Sequence, residues 1–148
     1  MSEARQQAFI EAPRRLVWQL VVDVDHHPDW WPGVVEVQCD EVAAECTYRE
    51  VVRLPFGGTG ERKFLIEDLD DPERFRINCV DTGAFCDITL TEARDGTFIE
   101  AAAGMEAKQI GLRLFDTVAG RRYWRAWLER TVEAIRRVAE ERTVGQTG

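Results

Sequence analysis

Several ionisable side chains fall where a strand pattern would turn them towards a protein interior, among them Glu50, Arg62 and Asp81. Glu50 lies in the run Tyr48-Arg49-Glu50-Val51-Val52, whose alternation places Tyr48, Glu50 and Val52 on one strand face. A carboxyl buried there without a partner would hold a raised pKa and could give or take a proton near neutrality. The preferred reading is that strand twist or a bulge turns it to solvent, because the register depends on the loop across Leu54 to Glu61. Arg62 and Asp81 fall opposite each other if the strand from Gly60 pairs with the strand from Arg74. An inward guanidinium there could hold a ligand carboxylate or phenol. A rim ion pair that contributes little is the preferred alternative. The same parity turns Asp68 inward.

Other chemistries find less support. His26-His27 cannot easily face one ion, and no third ligand stands at a useful spacing, so a solvated helix end and no metal are expected. Cys39/Cys46 and Cys79/Cys86 lack CxxC spacing; as direct cross-strand neighbours in a reducing compartment they read as small apolar residues. Gly57-Gly58-Thr59-Gly60 has no following Lys-Ser/Thr and no helix to open, so it is a flexible turn, a candidate lid, and not a phosphate cradle. No GxSxG, no HExxH and no Cys with a His partner occurs, and no cofactor is implied.

The elements that must position these groups follow from periodicity. Ala8 to Ala12 reads as a first strand, and Pro13 starts a helix carrying Leu16, Val17, Leu20, Val21 and Val24 at helical steps. Pro28 interrupts it, and Asp29-Trp30-Trp31 makes a second short turn. From Val34 to Lys108 strands follow one another. With Thr82-Gly83 as a turn, Phe75 faces Leu90, Ile77 faces Ile88 and Cys79 faces Cys86. An Asp95-Gly96 turn sets Ala101 beside Leu90, Ala103 beside Ile88 and Met105 beside Cys86. The Gly57 to Gly60 turn sets Val52 opposite Phe64 and Glu50 opposite Ile66. All three hairpins agree on one apolar face. Its cover is a last helix from about Leu112 to Arg142, roughly 45 Å long, with Gly120 as a point of bending.

One domain accommodates all 148 residues, with residues 143–148 expected as a disordered tail. The net charge of −8 argues against nucleic acid as a partner. Arg121, Arg122, Arg125, Arg130, Arg136 and Arg137 alternate with Glu129, Glu133, Glu140 and Glu141, as on a solvated helix face. No apolar run is long enough to span a membrane, so no stable membrane insertion is expected. Met1 to Gln7 lacks a signal core, so a cytoplasmic monomer or homodimer is expected.

Phe9-Ile10-Glu11-Ala12-Pro13-Arg14-Arg15-Leu16-Val17-Trp18 and the tryptophan-rich Asp23 to Pro32, set before a run of strands and a long last helix, resemble the START/Bet v 1-like superfamily, and within it the polyketide cyclase/dehydrase and lipid-transport proteins. The resemblance covers nearly the whole chain. It implies an α+β helix-grip fold, a curved antiparallel sheet of about seven strands around a long C-terminal helix with two short helices between strands 1 and 2. It further implies a cavity lined by Tyr48, Val52, Phe64, Ile66, Ile77, Cys79, Ile88, Ala101, Ala103 and Met105 from the sheet and by Phe115 and Val118 from the helix. Ala101 and Ala103 would either admit the helix closely or leave a void. Three functions fit: binding or transport of a small hydrophobic ligand (a lipid, polyketide or aromatic metabolite), an aromatase/cyclase-like enzyme, or a protein-interaction module whose exposed apolar patch would be Trp30 or Trp31 and the far end of the last helix. Val80-Asp81-Thr82-Gly83-Ala84-Phe85 resembles the corresponding turn of aromatase/cyclases. Their strand arginine has no clear counterpart, since Leu69 or Asp68 takes its place.

Overall fold

The computed structural model describes residues 2–54, 56–106 and 120–147. The first strand, β1 (Ser2–Ile10), begins well before Ala8. Pro13, extended at φ −62° and ψ 145°, then leads into α1 (Arg14–Val22), whose Leu16, Val17, Leu20 and Val21 are buried at helical spacing. A 3₁₀ turn, Val24–Asp29, follows with Pro28 inside it. The second turn thus precedes the tryptophans, and the N–H groups of Trp30 and Trp31 donate back to His27 O at 3.2 and 2.8 Å.

Strands β2 (Val34–Gln38), β3 (Thr47–Arg53), β4 (Thr59–Asp70), β5 (Arg74–Cys79), β6 (Ala84–Ala93) and β7 (Gly96–Met105) join β1 in one antiparallel sheet. Its order is β1-β7-β6-β5-β4-β3-β2. The last helix, α2 (Arg121–Thr147), packs on β1, β7 and α1. This is the helix-grip architecture the sequence led us to expect. The expected helix start near Leu112 lies outside the described residues. At the other end, residues 143–147 are helical instead of forming a loose tail, and Thr143 Oγ1 donates to Ala139 O at 2.9 Å.

Strand registers differ from the expected ones by even steps, because the turns sit elsewhere. Residues 80–83 form a four-residue connection in which Gly83 N–H donates to Cys79 O at 2.8 Å. Phe75 therefore faces Ile88, and Ile77 faces Cys86. Arg94-Asp95 is the next turn, with Asp95 at φ 69°, so Ala101 faces Ile88, Ala103 faces Cys86 and Met105 faces Ala84. In the β3–β4 hairpin Leu54 N–H donates to Gly58 O, and Glu50 faces Arg62 while Val52 faces Gly60. An even slip keeps every side chain on its face, so the apolar face survives. Cys79 and Cys86 are not direct partners, and all four cysteines are free thiols.

One odd step does change a face. The β4–β5 ladder shifts between Ile66 and Asp68, a bulge that leaves Glu67 as the extra residue. Leu69 then points inward opposite Phe75, whereas Asp68 turns outward and pairs with Arg74 at 3.4 Å. There it joins an outer-face network in which Asp87 binds Arg74 and Arg76. The expected inward Asp68 is corrected by this bulge.

Candidate functional site

The concave face is built in rows across the sheet. Ala4, Ala103, Cys86, Ile77 and Ile66 form one row, and Ala101, Ile88, Phe75 and Leu69 form the next. Phe64 pairs with both Tyr48 and Cys79, and Met105 stands opposite Ala84. Tyr48, Ile66, Ile77, Cys79, Ile88, Ala101, Ala103 and Met105 are buried; Val52 and Phe64 are partly so. The structure thus gathers the sheet residues expected to line a cavity onto one face. Ala101 and Ala103 lie buried on β7, a strand on which α2 rests. Phe115 and Val118 lie outside the described residues.

Glu50 points into this face. Its residue is only 5% exposed, so the solvent-facing arrangement preferred from sequence is overturned. The cause is register: alternation in β3 puts Tyr48 and Glu50 inward between exposed Thr47, Arg49 and Arg53. Among the described residues no hydrogen bond or ion pair reaches the carboxyl. Burial alone pushes its pKa up to about 8. The neighbouring Tyr48 ring stacks on Phe64 at 5.5 Å, and its hydroxyl is buried without a hydrogen-bond partner among the described residues. Burial, then the proximity of Glu50, holds that phenol well above its usual range.

Arg62 and Asp81 do not pair. The half-buried Arg62 directs Nη1 to Glu61 O at 3.0 Å, and that nitrogen also lies beside Gly60. The exposed Asp81 carboxylate accepts the Lys63 N–H at 3.0 Å, just beyond the last ladder pair Phe64–Cys79. It stabilises a strand end, so of the three candidates for catalysis only Glu50 lies buried on the inner face.

The 3₁₀ turn holds what the sequence reading missed. His26 is exposed and bonded to Asp23, as befits a solvated turn, but His27 is fully buried. Its Nε2–H donates to Val21 O at 2.7 Å, and its ring meets Trp30 and Trp31 edge-on. Burial lowers its pKa to about 4, with the Val21 bond opposing the shift. Both tryptophans are buried and mutually stacked at 5.2 Å, so neither offers the surface patch expected of an interaction module, whereas Val144 at the far end of α2 is exposed. Trp31 Nε1 donates to Thr131 Oγ1 of α2 at 3.0 Å, and Trp31 also meets Trp127. Trp30 Nε1 and Trp124 Nε1 are buried without partners among the described residues. The signal for burial was the spacing of His27, Trp30 and Trp31, which continues the apolar stripe of α1. Among the described residues no group of three His, Cys, Asp or Glu side chains is placed to hold a metal ion.

Solved structures share this arrangement. The di-domain ARO/CYC StfQ of the steffimycin biosynthetic pathway superposes with a TM-score of 0.75 at 16% identity, over 95% of this chain and 51% of its own. The chain therefore spans about half the length of that protein. A START superfamily protein from Mycobacterium smegmatis gives 0.72 at 14% identity over 99% of both chains. Ara h 8.0201 gives 0.70 at 11% identity over 97% of both. No curated protein sequence matches the chain. A sequence model of the family described as polyketide cyclase/dehydrase and lipid transport matches residues 1–140. With that match over a helix-grip fold, the chain belongs to the polyketide cyclase/dehydrase and lipid transport family.

Proposed function

We propose that the chain binds a small apolar molecule between the concave sheet face and the C-terminal helix. One observation carries the reading. An inner face of Ile, Phe, Cys and Ala buries the residues Tyr48 and Glu50, and the Tyr48 hydroxyl has no hydrogen-bond partner among the described residues. Folded interiors pair their polar groups, and each one left unmet costs about 1–3 kcal/mol. A ligand that brings complementary groups offsets that cost, and a few polar groups in an apolar lining are the usual make-up of a small-molecule pocket. The lipid transport in the family description agrees with it.

A second reading, an aromatase/cyclase-like enzyme, draws on Glu50 itself. A carboxyl with its pKa near 8 holds its proton at neutrality and releases it slightly above, as a general acid–base group requires. The ARO/CYC likeness of StfQ is a likeness of fold.

Native mass spectrometry of freshly purified protein, with solvent extraction of anything retained, tests the first reading, followed by titration with 2-methylnaphthalene as an apolar probe. A stoichiometric apolar adduct, or saturable binding of the probe, is the expected result. Neither adduct nor probe binding would overturn it.

A further inference from the structure

Tyr48 and Glu50 stand two residues apart on β3, so their side chains rise from the same face roughly 6.6 Å apart along the strand. The Tyr48 hydroxyl is buried and meets no hydrogen-bond partner among the described residues, the Glu50 carboxyl makes no ion pair there, and each residue is under one-tenth exposed. The rest of the surroundings is poor in charge. On β2 the residue opposite Glu50 is Val37; on β4 it is Arg62, whose Nη1 donates to Glu61 O and lies beside Gly60. The Cys86 thiol of β6 lies near enough to feel Glu50 and is itself fully neutral through burial. Tyr48 is kept neutral by burial as well.

We infer that Glu50 and Tyr48 form a paired hydrogen-bond donor site for the oxygen of a neutral ligand, of the ketone or ester class, carried on an apolar body. The inference rests on the apolar-ligand reading above and adds the chemistry of the polar end. Two O–H groups on one face can converge on a carbonyl oxygen, which accepts two hydrogen bonds. A ligand carboxylate would arrive beside the Glu50 carboxyl, and Arg62, the cation opposite, directs Nη1 to its own strand's Glu61 carbonyl. An ammonium ligand would need Glu50 ionised, and the site offers no group to stabilise that form before the ligand arrives. Burial keeps the carboxyl protonated, and therefore a donor, up to about pH 8.

Four probes with the same ring system separate the outcomes: 2-acetylnaphthalene (a ketone), 2-methylnaphthalene, 2-naphthoate and 2-naphthylmethylammonium. Each is titrated into wild type, Tyr48→Phe and Glu50→Gln from pH 6 to pH 9, with a thermal melt of every variant. The ketone should bind about tenfold more tightly than the hydrocarbon at pH 6, and Tyr48→Phe should lose most of that advantage. In wild type the advantage should fade between pH 7 and pH 9 as Glu50 gives up its proton. Glu50→Gln, still a donor, should hold it constant across the range. If Tyr48→Phe fails to fold, the contrast between wild type and Glu50→Gln decides alone. Equal binding of ketone and hydrocarbon in all proteins would keep the cavity and overturn the donor pair. Tightest binding of the ammonium or of the naphthoate would likewise overturn it. Binding of none of the four would remove the cavity reading and this inference with it.

Discussion

Glu50 and Arg62 are directly opposed on β3 and β4, yet the carboxyl receives no ion pair and the guanidinium bonds its own strand's Glu61 carbonyl. The acid is thus buried as a neutral group, against its preference in water. With a folded pKa of about 8 and an ordinary value of 4.5, the folded state binds the extra proton between those limits. Stability from this group is therefore fully present below pH 4.5 and is lost as pH rises through 8. Glu50→Gln should remove the loss and stabilise the protein by roughly 3–5 kcal/mol at pH 9. Urea denaturation at pH 5 and pH 9 measures it; a variant equal to wild type at pH 9 would mean that Glu50 is solvated.

His27 imposes the opposite limit. Its folded pKa of about 4 lies below the ordinary 6.5, so the unfolded chain binds the proton first as pH falls. About 3 kcal/mol should be lost between pH 6.5 and pH 4. From these two groups together, stability should be nearly level from pH 4.5 to 6.5 and decline on either side. Thermal melts across pH 4 to 9 test the shape, and in His27→Phe the level stretch should tilt, stability rising as pH falls from 6.5 to 4.5, with the alkaline side unchanged.

The Trp31–Thr131 hydrogen bond joins the 3₁₀ turn to α2 inside the core. Thr131→Val preserves shape but leaves the indole N–H unmet, at a cost of about 1–3 kcal/mol. Denaturant midpoints give the number, and a value near zero would show that the indole finds another acceptor.

Gly83 closes the β5–β6 connection at φ +81°, where a Cβ would lie 1.9 Å from Glu106 O. Its own carbonyl accepts the Glu106 N–H at 3.0 Å. Gly83→Ala should cost at least about 2 kcal/mol, because backbone must move on one side or the other. Gly57→Ala, at φ +103° but with open space around it, separates the strain from the clash.

How much of this was readable in the sequence depends on which errors a strand forgives. Misplacing the turns at Gly57, Thr82-Gly83 and Asp95-Gly96 moved residues by two or four positions, and a period of two absorbs such slips. Ile77, Ile88 and Ala103 reached the expected face with different neighbours. A bulge is an odd step, so Asp68 was misassigned; Ile66 and Leu69, both apolar and three apart, carried the sign of it. For Glu50 the alternation was right, but burial depends on what covers a face, which local pattern does not encode. Likewise, the shared stripe of α1, His27 and the tryptophans was visible, whereas the partner that covers it, Thr131 on α2, lies 100 residues away.

That separation sets an order of assembly during synthesis. The sheet and the tryptophan turn leave the ribosome before the helix that roofs them. Until Thr131 and the rest of α2 emerge, Trp31 has no acceptor and the apolar sides of β1 and β7 have no cover. A nascent chain that has released the sheet but not yet α2 therefore carries an open, sticky face, during synthesis that runs at about 5–20 residues per second. A premature stop ahead of α2 would release the chain with that face open, as an aggregating fragment.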